Sequence, residues 1–329
     1  MTAVSIVIVS YNSAEVLGTC IASCRRVNPA EIFVVDNASA DNSVSVAQRA
    51  GAQVIVNTTN KGFAAAANQG IGASSSPAVL LLNPDTELPS SIEPLAAALE
   101  DGEVGAAAPV LVDDSGRAQL GFSIRRLPEA KALIFEVLGI NRLLPGNPVN
   151  ARYRCLDLDL TEDQDVEQPA GACLLIRKTA WGLVGGFDEE FHPVWFEDVD
   201  FCRRLRRAGF RIRLAAGVAV RHRGGHSVSN LTPGRRQACW YASLLKYAAK
   251  AYPGHAVRGI AGALLAGLLP RTITGIVKNR SLAHGSNFVV ILRLAGQSLI
   301  EGRRGAVDGT GHTGKGTPQY IKSSSGTGS

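Results

Sequence analysis

The sequence lacks several features that would place it in a membrane or in an oxidising compartment. Its six cysteines include no Cys-x-x-Cys pair and lie mostly among apolar neighbours, so we expect reduced packing residues. The apolar run at residues 259–269 is closed by Pro270 and is too short to span a bilayer. Residues 4–9 have neither a basic leader nor a cleavage site, which predicts a strand instead of a signal peptide. These absences predict a cytoplasmic protein.

The chain also lacks the aromatic and basic interleaving that is typical of RNA-binding surfaces, so we do not expect nucleic acid as a partner. It does carry a formal charge of +6 over 329 residues. Its basic residues are concentrated in residues 203–213, in residues 221–236 and in the last third of the chain. Phosphate groups or an anionic lipid surface would suit that distribution of charge.

Apolar runs at residues 4–9, 32–35 and 79–82 indicate strands that are buried on both faces, as in a parallel sheet. Helix-like segments separate them, which predicts an α/β doubly wound architecture. Each run is followed by polar residues, and the carboxyl ends of such strands share one edge of the sheet. We therefore expect a ligand crevice there, with residues 145–168 as a polar loop over it.

The character of the sequence changes after residue 235, which divides the chain into a catalytic region at residues 1–235 and a helical region at residues 236–301. The cations and apolar segments of the helical region fit an anionic membrane surface. They fit equally well helices that pack on the catalytic region or on a second copy of the chain in a homo-oligomer. Residues 302–329 are rich in glycine, serine and threonine and are predicted to be disordered.

Glu197, Asp198 and Asp200 stand inside a frame of aromatic and aliphatic residues, where solvated acids are not expected. Helical spacing places Asp198 on the stripe that faces the core, so its carboxylate must pair, bind a ligand or shift its pKa. The alternative is a helix start whose acids complement the dipole, with Arg203 and Arg204 as partners.

Asn83, Pro84 and Asp85 follow the buried run at residues 79–82, so Asp85 is expected at the end of a strand. Mg²⁺ or Mn²⁺ takes one or two protein carboxylates in such sites and completes its shell with water and substrate phosphate oxygens. Considered alone, the same three residues would also suit a turn that leads into a helix.

Six short blocks, taken together and in order, resemble the inverting glycosyltransferases of family 2, and within them the bacterial rhamnosyltransferase-like members. The blocks are residues 4–12, 35–41, 60–70, 82–85, 185–189 and 196–200. The resemblance covers about residues 1–230. It implies the GT-A fold, a Rossmann-like doubly wound mixed sheet followed here by C-terminal helices.

The resemblance also implies roles for individual residues. Tyr11 and Asp36 match positions that contact the base and ribose of a nucleotide-sugar donor, and Asn68 matches a position in the donor pocket. The same blocks contribute further candidate donor contacts: Asn12, Asn37, Asn60, Gly62 and Asn83. Asp85 and His222 match metal ligands, which implies Mg²⁺ or Mn²⁺ as cofactor. Asn83 stands where the usual Asp-x-Asp motif has its first acid, so fewer carboxylates would hold the metal.

Asp198 matches the base that the family is proposed to use, and Glu197 would hold the acceptor or orient Asp198. The implied donors are dTDP-rhamnose, which is favoured, or a UDP-sugar. The implied acceptor is a glycan or a polyprenyl-diphosphate-linked sugar in cell-surface polysaccharide synthesis, at the inner face of the membrane. Two alternatives are a noncatalytic nucleotide-sugar-binding scaffold and a glycoside hydrolase that uses the paired acids.

Overall fold

The computed structural model describes residues 2–225, 232–279, 291–293 and 295–296. The predicted tail at residues 302–329 and the end of the predicted helical region lie outside them. The helices are α1 Ala14–Arg26, α2 Ser43–Arg49, α3 Phe63–Ala73, α4 Glu93–Ala98, α5 Ala130–Leu138, α6 Ile140–Leu143, α7 Pro148–Tyr153, α8 Lys178–Leu183, α9 Glu197–Arg207, α10 Pro233–Ala251 and α11 Gly254–Asn279.

The strands include the three predicted apolar runs. They are β1 Val4–Ser10, β2 Glu31–Asp36, β3 Gln53–Val56, β4 Ala78–Leu82, β5 Thr86–Glu87, β6 Val104–Val112, β7 Ile124–Arg125, β8 Gln164–Asp165, β9 Gln168–Pro169, β10 Cys173–Arg177 and β11 Arg211–His222. The expected loop at residues 145–168 is wrong in part, because α7 and β8 lie within it and β9 begins at its last residue. The sequence did not predict these elements, because a polar segment of two to six residues is too short to show a periodic pattern of apolar residues.

Within the described residues, one mixed sheet has the strand order β3-β2-β1-β4-β10-β6-β11-β5, and β8 also pairs with β11. Strands β3, β2, β1 and β4 run parallel, whereas β10 runs antiparallel to both β4 and β6. The predicted α/β fold with a mixed sheet is therefore confirmed. Strands β7 and β9 form a separate two-stranded ribbon.

The core lies on both faces of the sheet, which explains the continuous apolar strands. On one face, Ile6 and Ile8 of β1 pack in a cluster with Leu17 of α1 and Leu95 of α4. The opposite side chains of β1 pack in a second cluster with residues of α3, α8 and α9. Because successive strand residues point to opposite faces, burial of both faces requires every position of β1 to be apolar or small.

The described parts of the C-terminal helices pack on the catalytic region. Tyr247 of α10 and Leu264 of α11 are buried in a third cluster with Val137 of α5 and Phe196, which precedes α9. Helix α11 approaches α5 so closely that a Cβ atom on Gly267 would lie 2.3 Å from the Val137 carbonyl oxygen. None of the helices in the described ranges is long and apolar enough to cross a membrane.

This close approach predicts that Gly267→Ala lowers the free energy of unfolding by roughly 1–3 kcal/mol, as overpacking usually does. Gly262 on the same helix is the matched control, because a Cβ atom there would meet nothing within 4 Å. Gly262→Ala should raise the same quantity by about 0.5–1 kcal/mol, since alanine favours a helix over glycine. Denaturant unfolding of both variants measures the difference, and equal effects would contradict the tight α5–α11 contact.

Candidate active site

A cleft of about 360 Å³ opens between the C-terminal end of β4, the β7–β9 ribbon and the start of α9. Its walls include Asn83, Asp85, His222, Glu197 and Asp198. Two acids that are 113 positions apart in the sequence, at 85 and 198, therefore line one cavity. The cleft combines acidic groups with the aromatic side chains of Phe63, Phe122, Tyr153, Trp195, Phe196 and Trp240.

Asp198 is the second residue of α9, and its carboxylate is held by three donors. Its Oδ2 atom accepts hydrogen bonds from the Gly171 N–H (3.0 Å) and the Gln168 side-chain amide (3.3 Å). Its Oδ1 atom accepts one from the Val199 N–H (2.8 Å). Burial raises the pKa of the Asp198 carboxyl, and the hydrogen bond from Gly171 opposes that rise. The group is thus fixed in place and made more basic than an ordinary aspartate.

Glu197 is only 5% exposed, and its Oε2 atom is buried without a hydrogen-bond partner. Burial raises the pKa of Glu197 well above its usual value, and the neighbouring charge of Asp198 raises it further. A buried carboxyl with an unused oxygen is costly unless a ligand completes its hydrogen bonds. Its place on the cleft wall makes a hydroxyl-bearing ligand the natural partner.

Strained backbone precedes these two acids. Trp195 and Phe196 have φ angles of 81° and 69°, a left-handed conformation that is costly for bulky side chains. The Phe196 ring packs against Trp240 and Tyr247 of α10, with ring centroids 5.9 and 5.5 Å apart. Helix α10 therefore braces the turn that aims Glu197 and Asp198 into the cleft. Trp195 itself is half-buried and lines the cleft.

Asp85 and His222 form a buried pair that also lines the cleft. The His222 Nε2 atom lies 3.7 Å from Asp85 Oδ1, and both side chains are 3% exposed. Asp85 Oδ1 has no hydrogen-bond partner. Burial lowers the pKa of His222, although the charge of Asp85 opposes this, so the neutral imidazole is favoured. A carboxylate oxygen and a neutral imidazole nitrogen that face one point fit a divalent cation.

The fit is incomplete without other ligands, because no group of three or more metal-ligating side chains occurs among the described residues. Glu87, two residues after Asp85, does not contribute. Its carboxylate pairs instead with Arg221 and Arg223, at 3.3 and 3.5 Å. Water and substrate phosphate oxygens would have to complete the shell, as is usual for Mg²⁺.

Gln119 is a site residue that the sequence analysis missed. Its amide nitrogen donates to the His222 carbonyl oxygen (2.6 Å), and its Oε1 atom lies 3.1 Å from His222 Nδ1. An amide oxygen can only accept, so Nδ1 carries the proton and the Nε2 lone pair faces Asp85. Phe122 stacks on the imidazole at 5.3 Å. Gln119 is 103 positions from His222, and no local pattern marks it.

The predicted donor residues at the ends of β1 and β2 are joined by hydrogen bonds. The Asn12 N–H donates to Ser39 Oγ (2.8 Å), and the Asn12 side chain accepts from the Ala40 N–H (2.7 Å). The Asp36 carboxylate accepts from the Ser39 N–H and hydroxyl, at 2.9 and 2.6 Å. Tyr11 lies half-buried beside them. This network ties the loop after β1, which contains Tyr11, to the loop after β2 at one edge of the sheet.

Asn37, Asn60 and Gly62 form a second network. The Asn37 amide donates to Asn60 Oδ1 (3.1 Å) and to the Gly62 carbonyl (3.0 Å), and its Oδ1 accepts from the Lys61 N–H (3.0 Å). Asn37 thereby anchors the loop before α3. Gly62 has a φ of 85°, and a Cβ atom there would lie 2.9 Å from the His192 ring.

Asn68 does not line the cleft. Its amide donates to the Phe187 carbonyl (2.8 Å) and to Glu189 (3.0 Å), while its Oδ1 accepts from the Phe187 N–H (2.8 Å). The side chain is therefore engaged with the loop at residues 185–189. Asn83 does line the cleft, and its carbonyl accepts from the Thr86 hydroxyl at 2.7 Å.

Arg125 is a second residue that sequence reasoning did not find. Its guanidinium lies over the rings of Phe122 and Tyr153, at 5.7 and 5.9 Å, and lines the cleft. Its charge counteracts the rise in the Asp198 pKa. Its place in a two-residue strand carries no periodic signal, so only the fold brings it to the site.

Comparison with known proteins agrees with this geometry. The family model "Glycosyl transferase family 2" matches residues 5–157. The chain is 30% identical over 240 residues to the N-acetylglucosaminyl-diphospho-decaprenol L-rhamnosyltransferase of Mycobacterium tuberculosis. That alignment covers 68% of this chain and 76% of the relative.

Two solved structures share the fold at low sequence identity. Residues 1–349 of Staphylococcus aureus TarS in complex with UDP-GlcNAc superpose with a TM-score of 0.55 and 15% identity, over 93% of this chain and 88% of that one. GalNAc-T7 with UDP, GalNAc and Mn²⁺ gives a TM-score of 0.58 and 14% identity, over 92% of this chain and 58% of that one. Together with the cleft and its acids, these similarities mean that the chain belongs to glycosyl transferase family 2 and is a glycosyltransferase of the GT-A fold.

Proposed function

We propose that this protein transfers a sugar, with rhamnose favoured, from a nucleoside diphosphate to a hydroxyl group of a lipid-linked acceptor, with inversion at the anomeric carbon. The observation that carries the proposal is the single cleft lined by both Asp85 and Asp198. Rhamnose and a polyprenyl-diphosphate acceptor are supported by the name of the mycobacterial relative. A nucleotide-sugar donor is supported by UDP-GlcNAc in the TarS structure.

Asp198 is the proposed general base. The acceptor hydroxyl must lose a proton as its oxygen attacks the anomeric carbon, and a carboxylate within hydrogen-bond reach can take it. The hydrogen bonds from Gly171, Gln168 and Val199 restrict rotation of the carboxylate. Direct attack from the face opposite the leaving group inverts the configuration and forms no covalent sugar-enzyme species.

Glu197 is the proposed acceptor-binding residue. Its raised pKa keeps the carboxyl protonated to a higher pH than an ordinary glutamate, so it can donate a hydrogen bond to an acceptor oxygen. Such a contact would satisfy a carboxyl group whose second oxygen has no partner in the protein. Glu197 would then hold the acceptor, and Asp198 would remove the proton of its hydroxyl group.

Asp85 Oδ1 and His222 Nε2 are the proposed protein ligands of Mg²⁺ or Mn²⁺. A bound cation would neutralise the negative charge that develops on the leaving diphosphate. Mn²⁺ in the GalNAc-T7 structure supports this choice. Tyr11, Asn12, Asp36, Asn37, Asn60 and Gly62 are the proposed contacts to the nucleotide, whereas Asn68 would act through the loop at residues 185–189. We also propose that the enzyme acts in the cytoplasm at the inner face of the membrane.

Nucleotide release tests the proposal. The protein is incubated with dTDP-rhamnose, UDP-GlcNAc or GDP-mannose, a polyprenyl-diphosphate-linked sugar and Mg²⁺ or Mn²⁺. The products are identified by mass spectrometry, and their anomeric configuration is determined by nuclear magnetic resonance. We expect an extended acceptor and free nucleotide, with the transferred sugar in the inverted configuration. A glycoside hydrolase would cleave the acceptor without a nucleotide sugar, and a scaffold would bind the donor without releasing nucleotide. Either result would refute the proposal.

Gln119 provides a prediction about the metal site that does not depend on turnover. Gln119→Leu removes the acceptor that fixes the His222 tautomer, so we expect Mn²⁺ affinity to fall by roughly 10–100-fold, as for other residues that orient metal-bound histidines. Mn²⁺ binding is measured by electron paramagnetic resonance. Gln48→Leu, at an exposed position of α2, is the control and should bind Mn²⁺ like the unmodified protein. Unchanged affinity in Gln119→Leu would contradict the orienting role.

A further inference from the structure

A second cavity, of about 440 Å³, adjoins the catalytic cleft. It lies between the segment that precedes α5, the first turn of α5 and helix α7. Tyr153 lines both the cavity and the cleft and forms the boundary between them. None of the residues for which a donor, metal or base role is proposed lines this second cavity.

Two neighbouring arginines, Arg125 at the end of β7 and Arg126 directly after it, reach different cavities. Successive side chains of an extended chain point in opposite directions. Arg125 therefore faces the catalytic cleft, and Arg126 lines the second cavity. The Arg126 N–H donates to the Tyr153 carbonyl (2.9 Å), which fixes the chain at the boundary.

The second cavity has an excess of positive charge. Arg126, Lys131 and Arg152 line it, against the single acid Glu129. Glu129 pairs with Arg152 at 3.5 Å, but both side chains are about two-thirds exposed, at 68% and 65%, so this ion pair is weak. Among the described residues, neither Arg126 nor Lys131 has a carboxylate within ion-pair distance, and the Arg126 Nε atom is buried without a hydrogen-bond partner. Both charges are thus left without a carboxylate partner in the part of the chain that the structure describes, although the Lys131 ammonium lies over the Phe135 ring at 5.8 Å, and both are available to an anionic ligand.

The rest of the cavity wall is apolar. Leu127, Ala132, Pro148 and Val149 contribute to it. The chain that enters α7 also exposes apolar side chains, because Leu143 and Leu144 are 79% and 63% exposed. A ligand that combines two negative charges with a hydrocarbon chain would satisfy both the cations and the apolar wall.

We propose that this second cavity binds the diphosphate of a lipid-linked acceptor, while the acceptor sugar extends past Tyr153 to Asp198. The assignment rests on the proposed function and adds the site at which the acceptor is recognised. Arg126 and Lys131 hold the diphosphate, and the hydrocarbon chain leaves over the apolar wall beside α7. The donor's diphosphate occupies a different place, beside Asp85 and His222.

Isothermal titration calorimetry with farnesyl diphosphate, inorganic pyrophosphate and farnesol tests the assignment. Excess EDTA is present, so that a metal at Asp85 cannot hold a diphosphate. We expect farnesyl diphosphate to bind more tightly than either other probe. The double variant Arg126→Gln/Lys131→Gln should lose roughly tenfold or more in affinity, since two charge-assisted hydrogen bonds are removed. The control Arg49→Gln/Arg117→Gln, which removes two exposed cations, should keep the original affinity.

Three results would overturn the assignment. The first is a double variant that binds farnesyl diphosphate as tightly as the unmodified protein does. The others are an unmodified protein that binds farnesol, or pyrophosphate, as tightly as farnesyl diphosphate, because the diphosphate or the hydrocarbon chain would then contribute nothing to binding. If the double variant does not fold, the single variant Lys131→Gln, at an exposed position, replaces it and should also weaken binding. Turnover separates this inference from the proposed function. The double variant should raise KM for a diphosphate-linked acceptor and leave KM for the donor and turnover of a neutral octyl glycoside unchanged. Absence of transfer to every acceptor by the unmodified protein would refute the proposed function instead.

Discussion

Asp198→Asn should lower kcat by roughly 10²–10⁴-fold, the usual contribution of a general base. The substitution keeps the size of the side chain and the oxygen that accepts from Gly171, so the cleft should retain its shape. Donor KM should change little, because the proposed role of Asp198 is to take the proton of the acceptor. Steady-state nucleotide release, measured as a function of donor and acceptor concentration, gives both quantities. Near-normal turnover in this variant would show that another group takes the proton.

Asp200→Asn is the matched control for that experiment. Asp200 lies in the same helical turn but points away from the cleft, and its carboxylate pairs with Arg204 at 2.7 Å. Its side chain is 4% exposed, whereas Arg204 is 27% exposed and also donates to the Val184 and Gly186 carbonyls, so loss of the pair removes one of several contacts that hold this partly exposed cation. We therefore expect Asp200→Asn to lower thermal stability while kcat stays close to that of the unmodified protein.

The pH dependence of the reaction provides an independent check on Asp198. The base must be ionised to accept a proton, so activity should fall as the pH drops through its pKa. Burial raises that pKa, which moves the acid limb of the kcat/KM profile above the range of an ordinary aspartate. This limb should be absent from the residual activity of Asp198→Asn. A profile that is flat down to the range of an ordinary aspartate would contradict a buried carboxylate base.

Asp85→Asn should reduce metal-dependent turnover by at least ~100-fold, because a bound cation contributes several kcal/mol of charge stabilisation. The buried Oδ1 atom that faces His222 has no other partner, so its charge is the main attraction for a cation in this part of the cleft. Mn²⁺ affinity should fall in parallel and is measured without substrate by electron paramagnetic resonance.

Glu87→Gln is the matched control for Asp85→Asn. Glu87 lies two residues away but pairs with Arg221 and Arg223, and it should not affect Mn²⁺ affinity. If Asp85→Asn binds Mn²⁺ as well as the unmodified protein does, the proposed metal site is wrong. If Glu87→Gln weakens binding to the same extent, a loss of local structure accounts for both results.

The strands and the position of the cleft were predictable because they depend on local pattern. Burial on both faces makes β1, β2 and β4 continuous apolar runs, and their parallel arrangement places the residues that follow them at one edge. Local context made Asp85 and Asp198 candidates, because one follows a buried strand and the other stands inside an apolar frame. The same context also suited a turn and a helix start, and it was the resemblance to the family that favoured a catalytic role.

Other parts of the site depend on pairs of residues that are distant in the sequence. Gln119 orients His222 across 103 positions, and α10 supports the strained turn at Trp195 and Phe196. The sequence left open whether the C-terminal helices face a membrane, another copy or the catalytic region. Packing of α10 and α11 against Phe196 and α5 accounts for the described part of these helices.

The sequence by itself therefore determined the α/β layering and the edge of the sheet that carries the cleft, and it supplied Asp85 and Asp198 as candidates. Each of these features depends on the pattern of apolar and polar residues over a short stretch of sequence. Only the tertiary structure decided that Asp85 and Asp198 share one cleft, that Gln119 sets the tautomer of His222 and that Arg126 lines a second cavity. These features depend on contacts between segments that are distant in the sequence. Such contacts form only when the sheet, the ribbon and the C-terminal helices pack together.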